Sequence, residues 1–353
     1  MIIAPGYEKF LPPVGGSLGA GLYPNVLTSI QFERLLSASG PMAGHVARPS
    51  DHKTPRRIAW LQCVGSRDRS CDRPWCSSIC CMAAVKEAVI AKEHLPGLET
   101  HIYYMDLRSF GKDFEKYVDR ARDEHGVVFR PSRVPRVEQD PETGNLRVRY
   151  IAPDGSVAEE EYDMVVLSVG MQPCPELNSL ADLVRLQLNE YGFIKTEPYE
   201  ANRTSRPGVY AAGTVTEPKD IPESVTEASA AAACASEVIH SARNSEVTPR
   251  VYPEERDVAG EQPRIGVFVC HCGTNIGGVV DVAEIVRKAR SWPHVAYATD
   301  SLYVCSQDAQ VDMRDIIRRH GLNRVVVAPC TPRTHEELFQ DTVRDAGLNP
   351  NLF

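Results

Sequence analysis

The chain has 353 residues, of which 42% are hydrophobic and 24% are charged, a composition that is ordinary for a globular protein of two or three domains. Its formal net charge of −8 argues against a general nucleic-acid-binding surface, which needs clustered positive charge. No apolar run is long enough to span a membrane and no secretory signal is visible, so the 11 cysteines predict a cytoplasmic protein whose thiols serve metals or redox chemistry.

The first segments of the chain predict a short strand, a loop and a helix. Met1–Tyr7 predicts a short apolar strand. The glycines of Gly15–Gly21 follow two prolines and no buried strand, so they predict a plain loop and not a nucleotide-binding turn. Residues 23–36 predict a turn and a short amphipathic helix with Ser29 near its start, and residues 39–55 predict a loop.

A cluster of cysteines follows, where a strand is expected to pass into a helix. Ile58–Gln62 predicts a buried strand, and Met82–Glu93 is rich in helix-forming residues. In a nucleotide-binding βαβ unit this turn would hold glycines and a phosphate. Here it holds Cys63, Cys71, Cys76, Cys80 and Cys81.

Several kinds of chemistry fit this cysteine cluster. Thiolates on a turn and a helix N-terminus suit an anionic iron–sulfur cluster, because the helix end carries partial positive charge and free N–H groups. A zinc site usually has paired C-x-x-C or Cys/His spacings, and the sequence contains no C-x-x-C. A disulfide between the neighbours Cys80 and Cys81 would be strained. The spacing alone leaves an iron–sulfur cluster, a zinc site and free buried thiols as alternatives.

The residues around these thiols resemble the A subunit of heterodisulfide reductases. The resemblance lies in Leu61–Asp68, in the run Cys76-x-x-x-Cys80-Cys81-Met82 and in Lys86. In that family four cysteines with the same separations bind an unusual 4Fe-4S cluster near a flavin. The resemblance therefore implies cluster ligands at Cys63, Cys76, Cys80 and Cys81, with Cys71 as a spare thiol or an alternative ligand. It also places Lys86 near the flavin as a catalytic residue whose charge favours a reduced ring, the alternative being an exposed helix lysine.

From residue 57 to about residue 170 the chain alternates predicted strands and helices, which indicates a parallel sheet with helices on both faces. The predicted elements are strands at Ile58–Gln62, Glu99–Tyr104, Val127–Phe129 and Met164–Gly170, helices at Cys80–His94 and Lys112–His125, and a hairpin of Leu146–Ile151 with Glu159–Tyr162. This segment resembles the pyridine-nucleotide domain of thioredoxin reductases. Because cysteines replace its phosphate-binding glycines and no C-x-x-C is present, we expect neither direct NAD(P)H binding nor reduction by a dithiol.

The segment after residue 170 resembles the return of such flavoproteins into their flavin domain. Residues 204–214 predict a strand that ends at Gly213, and Ser224–Ala242 predicts an Ala-rich helix. In related flavoproteins an Asp follows this glycine, where Thr214 stands here, and the helix N-terminus faces the flavin pyrimidine. A plain packing helix with a capped start is the alternative. The resemblance implies FAD contacts at Gly213, Thr214, Lys219, Asp220, Ile221, Pro222 and Ser224.

Residues 245–262 predict a polar linker, and a second α/β unit follows. Its predicted elements are a strand leading into Cys270-His-Cys272, strands at His294–Ala298 and Asn323–Ala328, and helices at Val280–Arg290, Gln307–His320 and Glu336–Ala346. Cys272, Cys305 and Cys330 each follow a strand, where such sheets gather their sites. The unit resembles the opening domain of the same family. A second cluster on these three thiols, with Cys270 or a residue beyond the end as fourth ligand, and buried thiols are alternatives.

These resemblances predict an α/β fold: a thioredoxin-reductase-like, two-subdomain flavoprotein without its N-terminal ADP-binding half, followed by a small Rossmann-like α/β domain. We expect a partial FAD-binding subdomain at residues 1–55 and 171–244. A pyridine-nucleotide-like subdomain with the cysteine cluster is expected at residues 56–170, and the second domain at residues 263–353. The order of the parts predicts an internal fragment of a tandem or fused subunit.

The resemblance implies a cytoplasmic electron-transfer oxidoreductase subunit of heterodisulfide reductase type, which passes electrons between FAD and 4Fe-4S clusters. Its implied partners are other heterodisulfide-reductase-type subunits and a hydrogenase, dehydrogenase or ferredoxin electron donor, with no nucleic acid and no membrane span. The alternatives are a non-catalytic scaffold or truncated fragment that no longer binds FAD, and a zinc-stabilised protein.

Overall fold

The structure, a computed structural model, describes the backbone of residues 1–353 and every side chain except those of Thr274, Asn275 and Pro332. It forms two compact units, one of residues 1–36 and 40–245 and the other of residues 37–39 and 246–353. Among the described residues, no helix is both long enough and apolar enough to cross a bilayer. The finer division of the first unit into two subdomains stays a prediction.

The first unit contains most of the regular elements. Its strands are β1 (Ile2–Ile3), β2 (Tyr7–Lys9), β3 (Val26–Thr28), β4 (Arg57–Val64), β5 (Glu99–Tyr104), β6 (Val128–Pro131), β7 (Arg136–Gln139), β8 (Leu146–Ile151), β9 (Val157–Tyr162), β10 (Met164–Val169), β11 (Met171–Pro173), β12 (Thr196–Glu197), β13 (Glu200–Thr204) and β14 (Tyr210–Ala211). Its helices are α1 (Ser29–Leu36), α2 (Cys80–His94), α3 (Phe114–Asp123), α4 (Leu177–Val184) and α5 (Ile221–Val238).

A parallel sheet in the order β3-β10-β4-β5-β6 forms the centre of this unit. Because successive side chains of a strand point to opposite faces, Ile58 and Trp60 of β4 pack against α1, α2 and α3. Ala59 and Leu61 face the other way, toward the antiparallel sheet β7-β8-β9. The predicted parallel sheet is confirmed. The prediction of helices on both faces is wrong, since the connection from β6 to β10 is made of strands.

A smaller sheet in the order β1-β14-β13-β12 lies in the same unit, with α4 and α5 beside it. Helix α5 begins at Ile221 because the Asp220 carboxylate accepts the Glu223 N–H at 2.8 Å, while the Glu223 carboxylate accepts the Asp220 N–H at 2.9 Å. Ser224 therefore lies inside the helix, and the expected start at Ser224 is three residues late. Gly15–Gly21 forms turns, as expected of a loop.

The second unit is a small α/β fold. Its strands are β15 (Ile265–Cys270), β16 (Val295–Ser301) and β17 (Arg324–Ala328), and its helices are α6 (Val282–Ala289), α7 (Gln307–Arg319) and α8 (Pro332–Asp345). The parallel order β16-β15-β17 puts β15 in the centre. Val267 and Val269 of β15 pack against α6, and Phe268 and Cys270 pack against the residues of α7 and α8. The predicted Rossmann-like arrangement is confirmed.

Candidate functional site

The cysteine loop, residues 63–81, connects the carboxyl end of β4 to the start of α2. Asp68 shapes it locally, because its carboxylate accepts the Ser70 N–H at 2.9 Å and caps a short 3-10 turn at Arg69–Cys71. The backbones of Asp68 and Arg73 exchange hydrogen bonds at 2.8 and 3.0 Å. The loop therefore has an internal frame of its own instead of the open glycine turn of a phosphate site.

The backbone of this loop carries strain. Cys63, Arg67, Asp72 and Ser78 take φ values of 62°, 55°, 57° and 61°, in the left-handed region that side-chain-bearing residues seldom occupy. Such conformations persist where surrounding contacts impose them and are frequent at functional sites. The strain falls on a candidate ligand and on residues directly between candidate ligands.

Two buried serines hold the loop against β11. The Ser77 hydroxyl donates to the Ser66 hydroxyl at 3.1 Å and accepts the N–H of Met171 at 2.8 Å, while the Ser66 hydroxyl donates to the carbonyl of Trp75 at 3.1 Å. The Trp75 indole N–H donates to the carbonyl of Met171 at 3.0 Å. Gly170 permits this approach, since a Cβ there would lie 2.5 Å from a backbone oxygen.

Four of the five thiols influence one another electrostatically. Burial raises the pKa of Cys63 to about 11, and the thiols of Cys81 and Cys76 add to this rise. Burial also raises the pKa of Cys80, with further contributions from Cys81, Cys63 and Cys76. Burial likewise raises the pKa of Cys81, and Cys76 acts on it in the same direction. These four thiols are near enough to influence one another's pKa, and their role as ligands stays a prediction.

The fifth thiol, Cys71, lies in a different environment. Burial raises its pKa, and the charged groups that act on it most are Asp68 and Arg73 and not the other four thiols. Its Sγ donates to the carbonyl of Asp68 at 3.4 Å. The described contacts of Cys71 are thus with Asp68, and its role as a spare thiol or an alternative ligand stays a prediction.

The number and kind of the thiols bear on which metal group they suit. Four cysteine thiolates are the usual ligand set of a 4Fe-4S cluster. Among the side chains that the structure describes, no group of three or more His, Cys, Asp or Glu is arranged to hold a single metal ion. The donor chemistry of the loop therefore suits such a cluster, and the role of the four thiols as its ligands stays a prediction.

Backbone groups and charged side chains surround these thiols. The Ser78 N–H donates to Cys76 Sγ at 3.4 Å, and Cys81 Sγ donates to the carbonyl of Asp106 at 3.9 Å. The Asp106 carboxylate pairs with Arg67 and accepts Arg108 Nε–H at 3.2 Å. Sequence reasoning missed Asp106 and Arg108. Their position just after β5, at the carboxyl end of a parallel strand, was the signal that could have found them.

A cavity of about 640 Å³ opens at the carboxyl ends of β4, β5 and β6. Its wall includes Phe10 and Tyr103, together with the thiols Cys63 and Cys71 and the pair of Asp68 and Arg133. This edge is where parallel α/β sheets commonly bind ligands, and the volume is typical of small-molecule sites. The cysteine loop thus stands where a phosphate-binding turn would be in a nucleotide-binding sheet, and it leaves the cavity at this edge of the sheet open.

Lys86 lies on the α2 surface. Its Nζ donates to the carboxylate of Glu33 on α1 at 2.6 Å, and both side chains are about half exposed, at 50% and 48%. Its charge therefore has a partner within the first unit. The catalytic role near a flavin stays a prediction.

The candidate flavin segment, residues 213–224, closes around Glu227. The Glu227 carboxylate accepts the Gly213 N–H at 2.8 Å and pairs with Lys219, whose Nζ also donates to the Thr216 hydroxyl at 2.8 Å. Gly213 has a φ of 79°, and the nearest atom to a Cβ built there is 3.9 Å away, in Ser224. The carbonyl of Gly213 accepts the N–H of Thr216 at 3.2 Å, so both backbone groups of Gly213, and also Lys219 and Asp220, are engaged internally. Sequence reasoning missed Glu227, which lies inside an Ala-rich helix without a motif to mark it.

The second unit also collects thiols. The pKa of Cys272 is raised to about 11, and burial is the largest cause. A hydrogen bond with Cys270 and the charges of Cys330 and Cys305 contribute to the same rise. Cys270 ends β15 and is buried, Cys272 and Cys305 are half-buried, and Cys330 is exposed. The three candidate ligands of this unit and Cys270 thus lie at one edge of the sheet, as the strand order predicts.

Comparison with known proteins agrees with this picture. Residues 83–232 match the family described as pyridine nucleotide-disulphide oxidoreductase. The second iron–sulfur A subunit of the CoB–CoM heterodisulfide reductase of Methanopyrus kandleri is 43% identical over 269 residues, which are 74% of this chain and 40% of the relative. The A subunit of the H2/formate:CoB–CoM heterodisulfide,ferredoxin reductase of Methanococcus maripaludis is 41% identical over 235 residues, 66% of this chain and 36% of the relative. Over these stretches the chain belongs to the family of heterodisulfide reductase A subunits.

The family assignment confirms the resemblance found in the cysteine loop and the thioredoxin-reductase-like fold class, and it makes the chain a member of an oxidoreductase family. The chain spans 40% and 36% of the length of these two relatives. Thioredoxin reductase of T. acidophilum aligns with 67% of this chain and 65% of its own, at 20% identity and a TM-score of 0.42.

Proposed function

We propose that this chain is the electron-transfer part of a heterodisulfide-reductase-type oxidoreductase and that Cys63, Cys76, Cys80 and Cys81 hold a 4Fe-4S cluster. The observation that carries the proposal is the position of these four thiols on one loop, from the carboxyl end of β4 to the first turn of α2, where Cys76 Sγ accepts a backbone N–H. Such a cluster accepts and donates single electrons. The relative from Methanopyrus kandleri is named as an iron–sulfur protein, which supports the same cofactor.

The residues of the chain prepare this site in two ways. The hydroxyl pair of Ser66 and Ser77 fixes the loop against β11, so that the thiols are held in position before any metal binds. The Ser78 N–H points to Cys76 Sγ and stabilises negative charge on that sulfur. Preorganised ligands and N–H donors are what an anionic metal cluster needs.

Metal content of single-site variants tests the proposal. We expect the full chain, reconstituted anaerobically with iron and sulfide, to bind about four iron atoms at this loop, and Cys76→Ser to lose most of them. Cys71→Ser is the matched control, since it removes a thiol of the same loop that lies outside the group of four. Equal iron loss in the two variants, or no iron in the parent chain, would overturn the assignment.

A second cluster is proposed in the second unit, with Cys272, Cys305 and Cys330 as ligands and Cys270 as the fourth thiol on this chain. Its support is the mutual influence of these thiols on the pKa of Cys272. The test is iron counting in the full chain: Cys272→Ser with Cys305→Ser should lower the iron content independently of the Cys76→Ser loss. If the content is unchanged in the double variant, these are buried thiols without metal.

FAD is the second cofactor of the proposal. Gly213 and Thr214 follow β14, and α5 begins at Ile221 and Pro222 with Ser224 in its first turn. FAD would supply two-electron chemistry next to the single-electron cluster, and Lys86 is proposed to favour its reduced form. We expect flavin absorption bands in the purified protein.

A scaffold that no longer binds FAD is the second candidate function. The observation in its favour is that Glu227 already accepts the Gly213 N–H and pairs with Lys219, two groups expected to face a flavin. A visible spectrum of anaerobically purified protein distinguishes the two. Flavin bands with a broad iron–sulfur shoulder support electron transfer, whereas a colourless protein supports the scaffold.

The proposed partners are other heterodisulfide-reductase-type subunits and a hydrogenase, dehydrogenase or ferredoxin that donates electrons. The relative from Methanococcus maripaludis has H2 and formate in the donor position of its name, and a relative from Methanosarcina mazei, named a ferredoxin:CoB–CoM heterodisulfide reductase subunit, has ferredoxin there, which supports donors of these classes. Reduction of the reconstituted chain by dithionite-reduced ferredoxin, followed by the bleaching of its visible absorption, tests direct electron transfer. A chain bleached by dithionite but not by reduced ferredoxin would exclude ferredoxin as a direct donor.

A further inference from the structure

A chain of three charged side chains lies next to the proposed cluster thiols. The guanidinium of Arg67 pairs with the carboxylate of Asp106, whose other oxygen accepts Arg108 Nε–H at 3.2 Å. The side chain of Arg67 is 27% exposed, so its charge is more shielded from solvent than that of a free surface arginine. The pairing joins the cysteine loop to the segment that follows β5.

Backbone contacts fix Arg67 among three of the four thiols. Its N–H donates at 2.7 Å to the carbonyl of Trp75, the residue directly before Cys76. Its partner Asp106 accepts, through the backbone carbonyl, the thiol hydrogen of Cys81 at 3.9 Å. Arg67 itself follows Cys63 by four residues and has a φ of 55°, so the turn that carries it is held in a conformation that extended chains do not adopt.

The contacts place charges of both signs beside the proposed ligands. The Arg67 guanidinium pairs with the Asp106 carboxylate, and the carbonyl of Asp106 contacts Cys81 Sγ. A fixed cation and a fixed anion near one site act with opposite signs on any negative charge held there.

We propose that Arg67, positioned by Asp106, sets the reduction potential of the cluster held by the four thiols, an inference that rests on the proposed function. A cluster becomes more negative when it gains an electron, so a nearby fixed cation favours its reduced form. A nearby fixed carboxylate favours the oxidised form. Arg67 and Asp106 therefore act with opposite signs on the same equilibrium, and Asp106 also keeps the guanidinium in place.

The opposite signs make the inference testable by redox titration. In the anaerobically reconstituted full chain, the reduced cluster is followed by EPR as the potential is varied. Arg67→Gln should lower the ratio of reduced to oxidised cluster about tenfold at a fixed potential, which corresponds to a fall of about 59 mV for one electron. Arg67→Lys keeps the charge and should recover most of this ratio. Asp106→Asn should raise the ratio, because its amide oxygen still accepts from Arg67 while the negative charge is gone.

Arg133→Gln is the matched control. It removes the same charge from a neighbouring loop, but Arg133 pairs with Asp68, whose carbonyl contacts Cys71 Sγ and not one of the four proposed ligands. We expect the cluster in Arg133→Gln to have the same reduction potential as the cluster in the parent chain. Equal shifts of the reduction potential in Arg67→Gln and Arg133→Gln would overturn the inference. A lower potential in Asp106→Asn would also overturn it, because a general loosening of the loop would shift the potentials of the arginine and aspartate variants in the same direction.

Different results contradict the proposed function and the inference about Arg67. A parent chain that takes up no iron, or gives no EPR signal after reduction, contradicts the proposed function and the inference with it. A parent chain with a normal cluster whose potential is unchanged in Arg67→Gln contradicts the inference alone. If Arg67→Gln assembles no cluster, the Asp106→Asn variant tests the inference. A higher ratio of reduced to oxidised cluster in that variant supports the role of fixed charge, and an unchanged ratio overturns it.

Discussion

Glu87 is a buried carboxyl group on α2, the helix that begins with two of the candidate ligands. It is 1% exposed, its Oε2 accepts the indole N–H of Trp60 at 2.8 Å, and its Oε1 has no hydrogen-bond partner among the described groups. Burial raises the pKa of this carboxyl to about 8, because a single donor does not replace the water that the ionised form would lose. We therefore expect Glu87 to be protonated at neutral pH and to make stability depend on pH.

The sign follows from the two protonation states. An unfolded glutamate has a pKa near 4.5, so between there and about pH 8 the folded chain holds a proton that the unfolded chain has released. The free energy of unfolding then falls as pH rises, by up to about 1.4 kcal/mol per pH unit. His101 acts oppositely in the lower half of this window, since burial lowers its pKa from 6.5 to about 4. Between about pH 6.5 and 8 the opposing His101 effect is nearly complete, and the Glu87 effect amounts to roughly 2 kcal/mol.

Urea unfolding of Glu87→Gln measures this effect. The variant keeps an acceptor for the Trp60 N–H and has no proton to lose. Across pH 6.5 to 8 at constant ionic strength, the parent chain should lose roughly 2 kcal/mol more of its free energy of unfolding than the variant. The infrared band of a protonated carboxyl should be present in the parent chain and absent from the variant. An equal pH slope in the two proteins would refute the reasoning.

Three further substitutions test the packing around the site. Ser77→Ala removes the acceptor of the buried Met171 N–H, and urea unfolding should show a loss of about 1–3 kcal/mol; no loss would mean that water replaces the hydroxyl. Gly170→Ala places a Cβ 2.5 Å from the carbonyl oxygen of Gly65, so thermal unfolding should occur at a lower temperature, and an unchanged midpoint would contradict the close packing. Lys86→Ala breaks a half-exposed ion pair and should change stability by less than about 1 kcal/mol, a larger loss being inconsistent with that exposure.

The sheet could be predicted from the sequence because β4 and β10 are nearly continuous apolar runs, as a strand covered on both faces requires. The strand β7 was missed because its sequence, Arg-Val-Glu-Gln, has one buried residue, Val137, and is typical of a polar loop. Helix α4 was missed since its eight residues are too few for a clear helical period. Local patterns thus reveal central elements well and edge elements poorly.

The candidate ligands could be named from the sequence because their separations match those of the family that it resembles. The pair of Arg67 and Asp106 could not, since the two residues are 39 positions apart and meet only through the register of β4 beside β5. The same holds for Glu227 and Gly213, which a turn and part of a helix separate. A side chain that acts on a site from another element leaves no periodic trace in the sequence.

The two long helices of the first unit show why the cysteine loop is the better place for an anionic group. At α5, the Asp220 carboxylate caps the first turn, so negative charge already occupies that N-terminus. At α2 the N-cap residue is Ile79, which makes no side-chain hydrogen bond to the helix, and the thiols of Cys80 and Cys81 stand in the first turn. The first turn of α2 thus keeps its N–H groups and the positive end of the helix dipole without a capping side chain, next to two thiols. A thiolate-bound cluster would gain from these groups what a phosphate gains in a glycine-rich turn, and this is the physical reason why cysteines suit this position of the fold.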